Sequence, residues 1–139
     1  MEIILKNINQ SLKFANKITK SIKPGVVVGF IGELGTGKTT IIKQIAKNLG
    51  VEENVTSPTF VIYKKYRTKL ICDLVHIDAY RMTNNSDIVI KEIIENKDKN
   101  IVLIEWADRV KMPKKSIYIN IQYDENNKNM RKINYENIN

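Results

Sequence analysis

The segment from Gly32 to Thr39 reads GELGTGKT and matches the phosphate-binding loop pattern G-x-x-x-x-G-K-[ST] at every fixed position. Glycines allow such a loop to turn with positive φ and to bring consecutive backbone N–H groups close to phosphate oxygens. Lys38 supplies a positive charge for the β- and γ-phosphates, and the Thr39 hydroxyl suits a Mg²⁺ ligand. The segment therefore predicts a site for nucleotide phosphates and Mg²⁺.

An acidic residue follows a strongly apolar stretch later in the chain. Glu105 comes directly after Ile101–Ile104, which is expected to form a buried strand. In phosphate-loop proteins an acid at the end of such a strand handles Mg²⁺, because its carboxylate emerges beside the loop. The alternative is a surface glutamate after an ordinary buried strand. Trp106 is interpreted mainly as a packing residue, with a contact to nucleotide or to a partner as the alternative.

A second acidic position lies in the segment HIDAYR, which follows another predicted strand. Strand alternation puts His76 and Asp78 on one side and Ile77 on the other. Asp78 can therefore join Glu105 near the metal, either as a water-mediated ligand or as the group that orients the attacking water. His76 by itself is interpreted as a hydrogen-bonded structural histidine.

Hydroxyl residues flank a proline in the segment Thr56–Phe60, between the helix after the loop and the next strand. A rigid turn with hydroxyl groups suits a loop that senses the γ-phosphate, as switch loops do. Turns of this composition are common, so the segment alone indicates little.

The elements that must position these residues follow from hydrophobic periodicity and turn residues. Strands are expected at 3–5, 26–31, 60–66, 70–77, 101–104, 117–121 and 130–135, and helices at 11–22, 41–49 and from Ser86-Asp87 to Ile94. The strands at 60–66 and 70–77 are expected to form a hairpin. This order predicts an α/β fold of the P-loop NTPase type with three layers, in which a mainly parallel central sheet carries antiparallel edge strands.

Length and composition indicate one domain spanning residues 1–139. Cys72 is the only cysteine, so no internal disulfide is possible. The N-terminus does not read as a signal peptide, and no apolar run approaches the ~20 residues of a membrane span. We therefore expect a soluble, cytoplasmic protein that does not associate with membranes.

The formal net charge of +8 raises the possibility of nucleic-acid binding. The lysines are scattered along the chain, and arginine, which reads phosphates and bases better, is scarce. Solvated surface charge is therefore favoured over direct binding of RNA, and DNA binding is not expected.

Taken in order, the segments GELGTGKTT, SPTF, HIDAYR and IEWADR resemble the TsaE (YjeE) family of small bacterial ATPases. The resemblance runs from about residue 3 to residue 135. It implies a Mg²⁺-dependent ATPase required for the N6-threonylcarbamoyladenosine (t6A) modification of tRNA. Such a protein does not make the modified base itself. It acts with TsaB and TsaD, drives or resets their complex, and meets tRNA only indirectly through that complex.

The resemblance also implies roles for individual residues. Catalytic roles fall to Lys38, Asp78 and Glu105, and metal binding to Thr39, Glu105 and Asp78. Contacts with ATP fall to Gly32, Gly35, Thr36, Gly37, Lys38, Thr39, Thr40, Thr59, Trp106 and Arg131. Thr59 would be a switch-like contact, and Arg131 would reach the nucleotide from the last hairpin.

Two other functions share the phosphate loop. A small-molecule kinase would need an arginine-rich lid and an acceptor pocket, for which a chain with four arginines leaves little room. A nucleotide-gated module that binds RNA or a protein partner would need no rapid hydrolysis. A GTPase is disfavoured because Asn96–Lys99 reads NKDK, with lysine where the guanine-reading motif N-K-x-D has its acid.

Overall fold

The computed structural model describes residues 1–58, 61–82 and 84–138. The strands are β1 (Glu2–Leu5), β2 (Val27–Ile31), β3 (Tyr63–Arg67), β4 (Asp73–Asp78), β5 (Asn100–Glu105), β6 (Ile117–Tyr123) and β7 (Arg131–Glu136). The helices are α1 (Ile8–Thr19), α2 (Lys38–Asn48) and α3 (Asn84–Glu95), with short 3-10 turns at Lys97–Lys99 and Ala107–Arg109.

The described strands form one sheet in the order β1-β7-β6-β2-β5-β4-β3. The four central strands, β6, β2, β5 and β4, run parallel to one another, whereas β3, β7 and β1 add antiparallel edges. This arrangement confirms the predicted α/β fold with a mainly parallel centre. It also brings the carboxyl ends of β2, β4 and β5 to one edge, where open α/β sheets bind their ligands.

Both faces of the sheet are covered, as parallel strands require. One face packs its side chains, among them Leu74 and Leu103, against buried residues of α1 and α2. The opposite face, which includes Val75 and Ile104, packs with Ile90 of α3. Neighbouring residues of β4 and β5 thus alternate between the two cores. By the same alternation, the position of a polar residue at the end of either strand decides whether it lies on the α2 side or the α3 side of the sheet.

The first helix begins earlier than apolar spacing suggested. The Asn7 side chain accepts a hydrogen bond from the Gln10 backbone N–H at 3.0 Å and caps α1, so the helix covers Ile8–Thr19 rather than 11–22. Hydrophobic spacing locates the buried stripe of a helix but not its polar first turn.

The hairpin confirms the predicted pairing of β3 with β4, but its turn is longer than the three residues expected. Thr68 donates through Oγ1 to the Cys72 carbonyl at 2.6 Å and accepts from the Leu70 N–H at 3.0 Å. These bonds hold a turn between Arg67 and Asp73, so β4 begins later than predicted. The third helix likewise begins at Asn84, ahead of the predicted cap at Ser86-Asp87.

Among the described residues, no helix combines the length and the apolar character needed to cross a membrane.

Candidate functional site

The loop between β2 and α2 is shaped by close backbone packing. A Cβ added at Gly32 would collide with the carbonyl of Ile121 in β6. Gly37 adopts a left-handed φ of 103° and immediately precedes α2. A side chain at Gly32 would clash with a backbone carbonyl. A side chain at Gly37 would be strained by the left-handed backbone conformation. The loop therefore delivers Lys38 and Thr39 at the start of α2, where free backbone N–H groups favour an anion.

Lys38 is buried at 5% exposure, which is unusual for a lysine. Its ammonium donates hydrogen bonds to the carbonyls of Gly32 and Glu33 and lies 4.1 Å from the centre of the Trp106 ring. Burial lowers the pKa of Lys38, although the carboxylates of Glu105, Asp78 and Asp108 favour its charged form. The cation is therefore held beside the loop by carbonyls, an aromatic face and nearby negative charge.

The two predicted acids are brought together by sheet register, since Asp78 of β4 lies opposite Glu105 of β5. The hydroxyl oxygen of Ser57 lies 2.9 Å from Glu105 Oε2 and 3.3 Å from Asp78 Oδ2. The other oxygen of Asp78 accepts a hydrogen bond from the Tyr80 backbone N–H at 2.9 Å. Ser57 thus lies between the two carboxylates at the sheet edge that also carries the loop, and its single hydroxyl hydrogen can be donated to one of them at a time.

Glu105 is 4% exposed and contacts the only histidine of the chain. His76 Nε2 lies 2.9 Å from Glu105 Oε2. Burial alone would raise the pKa of the Glu105 carboxyl. The contact with His76, the hydrogen bond from Ser57 and the charge of Lys38 outweigh burial and bring that pKa below its usual value. Glu105 is therefore an ionised carboxylate at neutral pH.

Trp106 has a left-handed φ of 60°, which is rare for a bulky residue. Its ring packs against Tyr80 at a centroid distance of 4.9 Å, and the Arg109 guanidinium lies 5.0 Å from it. The chain turn at Trp106 places the indole over the Lys38 ammonium, so this residue belongs to the site as well as to the packing around it.

The last hairpin also reaches the loop. Arg131 Nε donates to the Thr36 carbonyl at 3.0 Å, and the guanidinium lies 4.4 Å from the Tyr123 ring. Arg131 Nη1 donates to the carbonyls of Lys128 and Met130. Arg131 therefore contacts the backbone of the phosphate loop.

Two open cavities flank the loop. One of about 1000 Å³ is lined by Leu34, Ser57 and Asp78 together with residues of the β3–β4 side. The other, of about 460 Å³, is lined by Gly32, Thr36 and Trp106 together with residues of β6. Space for a small molecule is thus available on both sides of the loop.

The structure collects most of the predicted site residues at one edge of the sheet. Gly32, Gly35, Thr36, Gly37, Lys38, Thr39 and Thr40 form the loop and the first turn of α2, with Asp78, Glu105, Trp106 and Arg131 around them. Thr59 lies outside the described residues.

Sequence reasoning missed two partners of the acids. Ser57 was read only as part of a hydroxyl-rich turn, and no sequence signal shows that it bridges two carboxylates. His76 was read as a structural histidine, and it is indeed hydrogen-bonded, but to Glu105 itself. Its position two residues before Asp78, on the same side of β4, was the available signal.

The donor chemistry suits Mg²⁺. The described residues contain no group of three or more His, Cys, Asp or Glu side chains that could enclose a metal. Mg²⁺ in nucleotide sites is commonly held by one or two carboxylates, with substrate phosphates and water completing its coordination. Glu105, Asp78 and the Thr39 hydroxyl fit such a partial set of oxygen ligands.

Comparison with known proteins decides the family. A family model described as "Threonylcarbamoyl adenosine biosynthesis protein TsaE" matches residues 5–133. The chain belongs to the TsaE family. Its relatives include proteins named "tRNA threonylcarbamoyladenosine biosynthesis protein TsaE" from Aquifex aeolicus, Bacillus subtilis and Rickettsia prowazekii.

The relatives match over most of their length. The Aquifex protein is 36% identical over 132 residues, which cover 94% of this chain and 93% of the relative. The Bacillus protein is 36% identical over 117 residues, covering 81% and 72%, and the Rickettsia protein is 31% identical over 137 residues, covering 96% and 94%. Membership of the TsaE family therefore rests on nearly the whole chain, as the motif order predicted.

The fold has a counterpart among solved structures. The crystal structure of Bacillus subtilis YdiB superposes with a TM-score of 0.73 at 26% sequence identity, covering all of this chain and 86% of YdiB. This likeness agrees with a phosphate-loop fold built on one mixed sheet.

Proposed function

We propose that this single-domain chain is a Mg²⁺-dependent ATPase that serves t6A biosynthesis on tRNA, acting with TsaB and TsaD to drive or reset their complex. The observation that carries the proposal is the pair of carboxylates, Asp78 and Glu105, that meet at the Ser57 hydroxyl beside a loop whose Lys38 is buried. A module that only held nucleotide would not need a second carboxylate to orient an attacking water beside the carboxylate that ligates the cation. Membership of the TsaE family supports the pathway.

In this proposal the loop binds the phosphates. Backbone N–H groups from Gly35 to Thr40 donate to phosphate oxygens, and Lys38 exchanges its loop carbonyl partners for the β- and γ-phosphates. Trp106 lies against the Lys38 ammonium, so the indole senses that exchange. Arg131 keeps the Thr36 carbonyl turned away from the phosphates through its 3.0 Å hydrogen bond.

The strand ends act on the metal and the attacking water. Thr39 and the carboxylates of Glu105 and Asp78 would hold Mg²⁺, one carboxylate directly and the other through water, and the cation would supply positive charge to the phosphate oxygens. The carboxylate without a direct bond to the cation would orient the attacking water by accepting its hydrogen bond. Ionised Glu105 needs no proton loss for either role, because its pKa lies below the usual value.

Hydrolysis by the isolated chain is expected to be slow. Arg131 and Arg109 both donate to backbone carbonyls, of Thr36 and Tyr80 respectively. In this arrangement both guanidinium groups are held against backbone carbonyls, and neither is placed as the arginine finger that speeds phosphoryl transfer in many phosphate-loop enzymes. A partner that supplies or reorders such a group would raise turnover.

The test is phosphate release from MgATP by the purified chain, alone and with TsaB and TsaD from the same organism. Strong stimulation by the pair, lost in Glu105→Ala but kept in a Glu92→Ala control on the exposed face of α3, is the expected result. Hydrolysis indifferent to both proteins would contradict the proposed pathway. ATP binding without any hydrolysis would favour a nucleotide-gated binding module instead, which filter binding with tRNA would then examine.

A further inference from the structure

The buried pair of His76 and Glu105 assigns more than a structural role to the histidine. His76 is fully buried on β4, and its Nε2 lies 2.9 Å from Glu105 Oε2. An ionised carboxylate can only accept hydrogen bonds, so Nε2 must carry the hydrogen. The contact is therefore a donation from the imidazole to Glu105.

The second ring nitrogen of His76 makes no competing contact among the described residues. Nδ1 of His76 is buried and has no hydrogen-bond partner among the residues that the structure describes. The contact of Nε2 with Glu105 is therefore the one side-chain hydrogen bond that orients the ring within the described part of the chain.

The two oxygens of Glu105 are not equivalent. Oε2 accepts from His76 and lies 2.9 Å from the Ser57 hydroxyl, whereas Oε1 accepts no hydrogen bond from the described part of the chain. A carboxylate held through one oxygen cannot rotate freely about its last bond. The other oxygen is left in a fixed direction for a cation or a water molecule.

We propose that His76 is a positioning residue, which fixes Glu105 through Oε2 and thereby presents Oε1 to the metal or the attacking water. The proposal rests on the proposed function of the site as a MgATP hydrolase. It assigns His76 no contact with nucleotide. The histidine acts on Glu105 alone, as outer partners of metal ligands do, where a substitution typically costs about 10–100-fold in metal affinity or activity.

The first test needs neither nucleotide nor metal. Because the chain has one histidine, long-range ¹H–¹⁵N spectra of the folded protein report only the ring of His76. The expected spectrum shows a hydrogen on Nε2. A ring that carries a hydrogen on Nδ1 and none on Nε2 would overturn the proposal, because such a ring cannot donate to Glu105.

The second test uses two substitutions matched in polarity. In His76→Gln the side-chain amide reaches the position of Nε2 and can still donate to Glu105, whereas the shorter amide in His76→Asn cannot. We expect His76→Asn to lower kcat and weaken the Mg²⁺-dependent part of ATP affinity by about 10–100-fold. ATP affinity measured in EDTA should stay unchanged, and His76→Gln should recover most of the loss.

Thermal melting first establishes that both variants are folded. Equal Mg²⁺ dependence of ATP binding in wild type and His76→Asn would overturn the role of His76 and leave the proposed function intact. Equal losses in both variants would also overturn it, since burial rather than donation would then be the cause. A wild-type chain that binds no ATP would instead overturn the proposed function. If His76→Asn fails to fold, the histidine spectrum of the wild type and the activity of His76→Gln test the proposal. A ring without a hydrogen on Nε2, or a His76→Gln variant that is folded but inactive, would overturn it.

Discussion

The phosphate loop and the acidic cluster meet at one edge of the sheet, yet they are built in different ways. The loop is a contiguous segment whose form depends on backbone: Gly32 packs under the Ile121 carbonyl, and Gly37 turns with positive φ. The acidic cluster is assembled from β4, β5 and the segment before β3. Its members are held by sheet register and by side-chain hydrogen bonds.

This difference predicts two kinds of failure. Substitutions in the loop change where backbone N–H groups and Lys38 lie, so they should remove phosphate binding itself. Substitutions in the cluster leave the backbone in place and change how one carboxylate is ionised or oriented. They should spare phosphate binding and damage the steps that depend on metal and water.

The largest expected effect comes from Lys38→Ala, which removes the buried cation from the loop. Nucleotide binding should be abolished, because the variant lacks the ammonium that neutralises the β- and γ-phosphates. Fluorescence of Trp106, the only tryptophan, is a direct measurement because the indole lies 4.1 Å from the ammonium. The exposed Lys43→Ala on the same helix is the matched control and should bind ATP normally. Full ATP binding by Lys38→Ala would contradict the proposal that the loop, and not the acidic cluster, binds the phosphates.

Glu105→Ala should lower turnover by at least ~10²-fold, the scale of losing one preorganised electrostatic group, while ATP binding stays measurable. The rate of phosphate release in a single turnover separates this loss from slow product release. Near-normal turnover would show that Glu105 has no part in the chemistry.

Within the loop itself, Gly32→Ala should destabilise the fold more than Gly37→Ala. An added methyl at Gly37 meets nothing within 4 Å and costs only left-handed strain, roughly 1–2 kcal/mol. At Gly32 the methyl also collides with a backbone carbonyl that cannot move aside, which adds about 1–3 kcal/mol. Urea denaturation of both variants measures the difference. Equal free energies of unfolding would contradict the packing described for Gly32.

The smallest effect is a pH dependence of stability. The pKa of Glu105 is lower in the folded chain than its ordinary value of 4.5, so the ionised carboxylate stabilises the fold above that value. This contribution is lost as the pH falls through the lowered pKa. Wild type should therefore lose its melting-temperature advantage over Glu105→Gln on acidification from about pH 6 to about pH 3. An advantage that grows on acidification would contradict the direction of the pKa shift.

The features of the fold and the site that could be predicted from the sequence are those that depend on residues close together in the chain. The loop, its strand and its helix could be predicted because the motif is local and every constraint lies within neighbouring residues. Glu105 and Asp78 could be predicted as strand-end acids because parallel strands align their carboxyl ends. The α/β order followed from the alternation of buried strands with amphipathic helices.

The links between distant segments could not be predicted. The position of Ser57 within hydrogen-bonding distance of both Asp78 and Glu105 depends on how the segment before β3 crosses the sheet edge, and no periodicity encodes that path. The contact from Arg131 to the Thr36 carbonyl joins residues far apart in the chain. The predicted helix starts were also wrong, because the spacing of apolar residues does not detect a polar N-cap such as Asn7.

The most direct test of the central claim is the affinity for ATP, with Mg²⁺ and with EDTA, of wild type, Lys38→Ala and Glu105→Ala, measured by calorimetry. We expect Lys38→Ala to bind ATP under neither condition. Glu105→Ala should match wild type in EDTA and lose the gain that Mg²⁺ provides. Full Mg²⁺-dependent affinity in Glu105→Ala would contradict a site in which the loop holds phosphate and the strand ends hold the metal.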